Sequence, residues 1–199
     1  MGGVVESMSV GKTIVLGVTG SIAAWKACEI VMELVRLGFN VYVIMTKAAT
    51  KLITPLTMST LSRNPVFTDM FKGLQHTNLA SLTDILLIAP ATANIIGKMA
   101  NGIADDLLTT TALACRAPKL IAPAMNPNMY ANAVVKANIL RLKEIGVQFI
   151  EPEYGRSVCG DLGVGLLAPT GKILSKVIEV LEKTGEERRN LSGVQKAIV

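Results

Sequence analysis

Five short stretches of the chain are apolar at nearly every position, and each stops at a turn of glycine, proline or small polar residues. Thr13-Ile14-Val15-Leu16-Gly17-Val18 runs into Thr19-Gly20-Ser21, and Val41-Tyr42-Val43-Ile44-Met45 into Thr46-Lys47. The stretch from Asp84 to Ala89 meets Pro90, Leu120-Ile121-Ala122 meets Pro123, and Val147-Gln148-Phe149-Ile150 meets Glu151-Pro152. Continuous runs of this length predict strands buried on both faces, as in a parallel sheet. Between them the spacing predicts helices over about 22–37, closed by Gly38, and 53–63, started or kinked at Pro55. Further helices are predicted just after His76, over 95–99 and 103–115, from Pro127 to Glu144, and over 172–183. Strands alternating with helices predict an α/β fold: a three-layer Rossmann-like (flavodoxin-like) parallel sheet with helices on both faces. From Glu151 to Thr170 the pattern fails, and Pro152, Gly155, Gly160, Gly163, Gly165 and Pro169 predict a long irregular loop of the lid or binding kind.

Ligands of such sheets bind in the crevice beyond the carboxyl ends of the strands, which makes the strand-end turns the candidate site. Gly20-Ser21 ahead of a helix at Ile22 is a phosphate-binding arrangement: glycine admits close approach, and the helix N-terminus offers free N–H groups and a positive dipole. A tight turn also needs glycine where nothing binds, and the GxGxxG spacing of dinucleotide folds is absent. The second strand ends in a hydroxyl and a cation, Thr46-Lys47, where an NAD-binding fold would place an acidic residue; this favours a mononucleotide such as FMN. Thr46 equally suits a helix N-cap. Pro90-Ala91-Thr92-Ala93-Asn94 contributes another hydroxyl and an amide, and Pro123 and Pro127 fix the backbone on either side of Asn126, so that its amide is aimed. As a bare turn, the same segment would use Asn126 or Asn128 as a cap.

His76 is the single histidine, so any histidine-dependent acid–base step must use it. Cys28 and Cys115 fall within helical patterns and read as packing, whereas Cys159 on a glycine-flanked loop reads as accessible. Three widely spaced cysteines fit neither a disulfide framework nor a zinc site, and Asp105-Asp106 reads as helix N-terminal charge, so no metal site is expected. A mean hydropathy of +0.46 over 199 residues predicts one domain with part of its surface buried against other subunits. The net charge of +5 is scattered and aromatics are only 4%, which excludes a stacking platform for nucleic acid and leaves attraction for small anions. The longest apolar run stops at Pro90, short of the roughly 20 residues of a membrane span, and residues 1–12 lack the apolar core of a signal peptide, so a cytoplasmic location is expected. The expected division is an N-terminal extension (1–12), one ligand-binding domain (13–183), and a charged, linker-like tail (184–199).

Gly20-Ser21-Ile22-Ala23-Ala24, the His76 loop, Ala89-Pro90-Ala91-Thr92-Ala93-Asn94, Pro123-Ala124-Met125-Asn126 with Met129, and Cys159-Gly160-Asp161 occur together and in this order. In this the chain resembles the homo-oligomeric flavin-containing cysteine decarboxylase family, over about residues 12–183. The resemblance implies FMN at an interface between protomers of a trimer, or of a tetramer of trimers, with contacts at Gly20, Ser21, Ile22, Thr46, Thr92, Ala93, Asn94 and Ala124. It implies 4′-phosphopantothenoylcysteine as substrate, in coenzyme A biosynthesis. His76 would be the base or proton handler, Asn126 would orient the substrate carboxylate, Met129 would shape the substrate site, and Cys159 would be the proton donor. The chemistry implied is oxidation of the substrate cysteine to a thioaldehyde, loss of carbon dioxide to an enethiolate, and reduction to 4′-phosphopantetheine. The chain departs from the family at Leu166-Leu167, where flaps often carry Arg-Met, and at Leu82-Thr83-Asp84, where Trp-Ala-Asp is common. Residues 191–199 resemble the first strand of a phosphopantothenate–cysteine ligase domain, implying the decarboxylase half of a longer protein. Alternatives of the same fold are a peptidyl-cysteine decarboxylase, which lacks the flap cysteine, a flavin prenyltransferase, and a flavodoxin-like electron carrier.

Overall fold

A computed structural model describes residues 11–197, with side chains through residue 185, so the expected N-terminal extension falls largely outside the described residues. Six strands form the central sheet: β1 (Thr13–Val18), β2 (Asn40–Met45), β3 (Val66–Phe67), β4 (Ile85–Ala91), β5 (Lys119–Pro123) and β6 (Gln148–Phe149). All pair in parallel in the order β3-β2-β1-β4-β5-β6, the doubly wound Rossmann order. The winding reverses between β1 and β4, where Ile14 lies beside Ile85 and Gly17 beside Ile88. The crevice beyond that pair is the fold's switch point, and the turns at Thr19 and Pro90 open onto it.

The apolar runs are explained by two cores, one on each face of the sheet. Ile14, Leu16, Val18, Val43, Met45 and Leu87 face α1 (Lys26–Arg36), α2 (Pro55–Ser62) and α8 (Thr170–Ala197). Val15, Ile44, Leu86, Ile88 and Ile121 face the other layer, built from α3 (Gln75–Leu82), α4 (Ala93–Ala100), α5 (Leu107–Ala114) and α7 (Ala133–Glu144). Alternate residues of one strand thus serve opposite cores, which confines polar side chains to the strand ends and the sheet edge, as at Thr13, Asn40, Lys119 and Gln148. Leu16 and Leu87 are fully buried, and truncating either to Ala costs about 2–5 kcal/mol. Among the described residues no helix is long and apolar enough to cross a membrane.

The elements differ from expectation in places where local pattern is a weak signal. The first predicted helix opens as a 3-10 turn (Ile22–Trp25) before α1. β3 forms in a stretch without visible periodicity, because two residues beside Val43 and Ile44 are too few to leave one. The helix expected from Pro127 to Glu144 is divided into α6 (Pro127–Ala131) and α7 at Asn132, whose side chain accepts from the Val134 N–H. α8 is longer than the 172–183 helix expected: its backbone stays helical to Ala197, through the stretch read as a linker and into the one read as a strand, because a charged run without proline can extend a helix already started on the core. The irregular loop expected over 151–170 is instead an antiparallel hairpin of β7 (Glu153–Arg156) and β8 (Leu162–Leu166). Its glycines hid it, since they are poor strand formers in isolation.

Candidate active site

The first wall of the site is built at the carboxyl ends of β1, β2 and β4. Past β1 the chain turns through Thr19 and Gly20 to Ser21, whose Oγ accepts from the Ala23 N–H (3.3 Å) and caps the 3-10 turn. Gly20 is required there, because a Cβ would collide with the Cβ of Ala48 in the turn after β2. In that turn Thr46 Oγ1 accepts from the Ala49 N–H (3.3 Å), as its reading as a cap anticipates. Thr19 is buried and ties two turns together: its hydroxyl donates to the Pro90 carbonyl (2.7 Å) and accepts from the Thr92 N–H (3.1 Å). Thr92 in turn caps α4 through the Ile95 N–H (3.4 Å). Neighbouring helix N-termini therefore point first-turn N–H groups, which lack partners within their helices, at one crevice.

The opposite wall is the turn after β5 and the hairpin docked on it. Asn126 caps α6: its Oδ1 accepts from the Asn128 N–H (2.8 Å), while its Nδ2 donates to Asp161 Oδ2 (2.5 Å). The Met125 N–H donates to the Gly165 carbonyl of β8 (2.9 Å). Gly165 must lack a side chain, since a Cβ there would stand 2.5 Å from the Met125 carbonyl oxygen and 3.2 Å from the Pro127 nitrogen. The hairpin tip is closed by the Ser157 N–H on the Asp161 carbonyl (2.7 Å) and the Gly160 N–H on the Ser157 carbonyl (2.9 Å), leaving Cys159 exposed. At the hairpin root, Tyr130 OH donates to Glu151 (3.0 Å), Lys143 pairs with Glu151 (2.9 Å), and Lys172 pairs with Glu153 (2.9 Å). Burial, followed by the adjacent Glu151 charge, pushes the Tyr130 hydroxyl up to about 12. Burial acts to raise Glu151, but the hydrogen bonds from Lys143 and Tyr130 and nearby lysine charge outweigh it and hold the carboxyl below its ordinary value.

These walls enclose a cavity of about 640 Å³, the size of an ordinary small-molecule site. It brings together Gly20, Ser21, Ile22, Thr46, Thr92, Ala93, Asn94, Ala124, Asn126, Met129 and Cys159. His76 is not part of the lining; it sits near the start of α3, and its Nδ1 is buried without a hydrogen-bond partner among the described residues. Sequence reasoning passed over Thr19, which ties the turns, and Lys98, which lines the cavity while bonding both carboxylate oxygens of Asp105 (2.7 and 2.8 Å). That contact with Lys98 holds the Asp105 carboxyl below its usual range. Asp106 caps α5 in a box with Thr109, as expected of helix N-terminal charge. Burial raises the thiols of Cys28 and Cys115, consistent with packing roles. Leu166 and Leu167 both line the cavity, and the absent side chain of Gly155 is what makes room for Leu166. Amide-rich helix starts for a phosphate and small apolar side chains for a flat ring system fit FMN.

A family model described as Flavoprotein matches residues 4–182. The chain belongs to the flavoprotein family. Among its relatives, a probable phosphopantothenoylcysteine decarboxylase of Streptococcus mutans is 43% identical over 177 residues, covering 85% of this chain and 99% of that protein. The coenzyme A biosynthesis bifunctional protein CoaBC of Bacillus subtilis is 50% identical over 161 residues, covering 78% of this chain but only 40% of that protein. The chain thus spans less than half the length of the bifunctional relatives it matches. The fold is shared with the FMN-dependent cysteine decarboxylase SpaF, at a TM-score of 0.76 and 32% identity, over 87% of this chain and 97% of that one.

Proposed function

We propose that this flavoprotein domain binds FMN and decarboxylates 4′-phosphopantothenoylcysteine, then reduces the enethiol to 4′-phosphopantetheine, a step of coenzyme A biosynthesis. The observation that carries this reading is the convergence of Asn126 and Cys159 on the same cavity as the Gly20-Ser21 turn. An electron carrier would need the turn but neither of the other two. Gly20, Ser21, Ile22, Thr46, Thr92, Ala93, Asn94 and Ala124 would hold the cofactor. FMN, when bound, supplies hydride removal from the carbon bearing the substrate sulfur, and the hydride's later return.

The remaining steps belong to the side chains. Asn126 keeps one Nδ2 hydrogen free to hold the substrate carboxylate. Once the carbon carries a C=S group, the bond to that carboxylate breaks readily, because the sulfur accepts the electron pair. Met129 packs at the rim and shapes the substrate end. Cys159 Sγ gives the proton that completes reduction of the enethiol.

His76 enters through assembly. The reading includes a homo-oligomer, a trimer or a tetramer of trimers, in which His76 of one protomer serves the cavity of the next as base for the substrate thiol. Two features support it. Exposed Phe71 and Leu74 precede His76, and exposed Ile22, Met129 and Val158 rim the cavity, so apolar surface surrounds both halves of the site. Among the described residues the His76 Nδ1 has no hydrogen-bond partner, so none of them fixes the ring against turning toward a neighbouring protomer. Residues 13–183 form the decarboxylase domain, the tail at 184–199 leads toward a ligase domain like that of the bifunctional relatives, and the protein acts in the cytoplasm.

The purified protein is expected to be yellow and to release FMN on heating. Given 4′-phosphopantothenoylcysteine, it is expected to evolve carbon dioxide and yield 4′-phosphopantetheine. Failure to take up FMN, or bound FMN with unchanged substrate, overturns the proposal. Carbon dioxide release that stops at the enethiol places the chain with the peptidyl-cysteine branch instead.

A further inference from the structure

An asparagine side chain has one accepting oxygen and two N–H donors. In Asn126 the oxygen takes the Asn128 N–H (2.8 Å), and one N–H goes to Asp161 Oδ2 (2.5 Å). A flipped amide would set oxygen against the Asp161 carboxylate and N–H against the Asn128 N–H, so the two partners together permit only one orientation. The backbone of Asp161 is committed as well: its carbonyl accepts from the Ser157 N–H (2.7 Å) and its N–H donates to Ser157 Oγ (3.1 Å). Those bonds close the turn that carries Cys159. Asp161 itself is absent from the cavity lining, so it reaches a bound molecule only through Asn126 and the turn.

We infer that Asp161 is the positioning residue of Asn126 and the latch that holds the Cys159 hairpin against the turn after β5. Its catalytic consequence rests on the decarboxylase reading; its mechanical consequence does not. The side-chain bond orients the amide that serves decarboxylation, and the main-chain bonds place the thiol that serves reduction. One residue thereby keeps both groups in register across two chemical steps. A conservative Asn at 161 retains an oxygen that can accept from Asn126, whereas Ala retains only the main-chain bonds to Ser157 and loses the side-chain tie between the hairpin and the turn after β5.

The test compares the FMN-loaded full chain with its Asp161→Ala and Asp161→Asn variants. Loss of a charge-assisted bond predicts that Asp161→Ala lowers kcat for carbon dioxide release about tenfold with little change in KM. It also predicts a larger share of oxidised enethiol and about tenfold faster tryptic cleavage after Arg156 in the hairpin, with FMN content and Tm unchanged. Asp161→Asn is expected to return all readouts to within about threefold of the parent. Parent-like kcat, product ratio and cleavage in Asp161→Ala overturn the inference, and so does a loss that follows released FMN or a lowered Tm. If the parent chain itself evolves no carbon dioxide, the decarboxylase reading fails, and the cleavage rate after Arg156 still decides whether Asp161 is a latch.

Discussion

The two walls of the cavity are held in place by different physics. On the cofactor side, the turns at Gly20, Thr46 and Thr92 continue directly from strands buried on both faces, and Thr19 bolts two of them together from inside the protein. On the hairpin side, β7 and β8 stand off the main sheet, hold Cys159 out toward solvent, and meet the domain through the Met125–Gly165 bond, the Asn126–Asp161 bond and ion pairs at the root. The first wall is positioned by the core and the second by a handful of polar contacts. A cofactor that stays bound needs the former. A substrate that must enter, react and leave is served by the latter.

The contrast breaks most sharply at Asn126. Asn126→Asp sets a second carboxylate against Asp161 and against the substrate, and carbon dioxide release is expected to fall on the order of 1000-fold while FMN remains bound. Rates followed alongside the flavin spectrum check this, and parent-like turnover with FMN retained would show the residue is misassigned.

Cys159→Ser should divide the two chemical steps. Carbon dioxide release should stay within a few-fold of the parent, while 4′-phosphopantetheine falls about 100-fold and oxidised enethiol accumulates, as expected from losing a positioned proton donor. Product analysis by mass decides it; normal 4′-phosphopantetheine output would remove Cys159 from the mechanism.

Thr19→Val sharpens the comparison from the rigid side. It leaves the buried Pro90 carbonyl and Thr92 N–H short of a partner, and should cost about 1–3 kcal/mol in denaturant unfolding together with weaker FMN uptake. Hairpin mutations such as Asp161→Ala should leave that unfolding midpoint nearly unmoved.

The smallest effect expected is on the pH dependence of the hairpin root. Glu151 titrates below its ordinary value, so its contribution is present above the normal carboxyl range and is lost as pH falls through the lowered value. Tyr130 titrates above its ordinary value, so its contribution is whole below pH 10 and is lost as pH rises toward about 12. Because Glu151 is more than half exposed, solvent screening limits its share to about 0.3 kcal/mol. Melting of the parent against Glu151→Gln should differ slightly at pH 6 and converge near pH 3; a gap that persists in acid would assign it to packing.

Much of the fold was legible because it is written locally. A strand buried on both faces must be apolar at every position, so β1, β2, β4 and β5 stand out as runs, and the turns beyond them announce themselves by Gly20, Thr46, Pro90 and Pro123. The residues proposed to hold the cofactor lie in or just beyond those turns, and all of them line the cavity. The hairpin was not legible, because Gly155, Gly163 and Gly165 are dictated by neighbours: Leu166, Pro127 and the Met125 carbonyl, respectively. The two-residue strand β3 borrows its conformation from β2 and leaves little pattern of its own, whereas the equally short β6 lies inside the run read at 147–150.

The sequence by itself determined the alternation of elements, the chemistry available at each strand end, and which side chains could accept, donate or move a proton. Only the tertiary structure decided which of those groups meet. It joined Asn126 to Asp161, buried Thr19 between two turns, and left His76 outside the cavity of its own chain. The physical reason is range: backbone conformation answers to neighbours a few residues away, while a hydrogen bond between side chains far apart in sequence exists only after the sheet has brought their turns within reach.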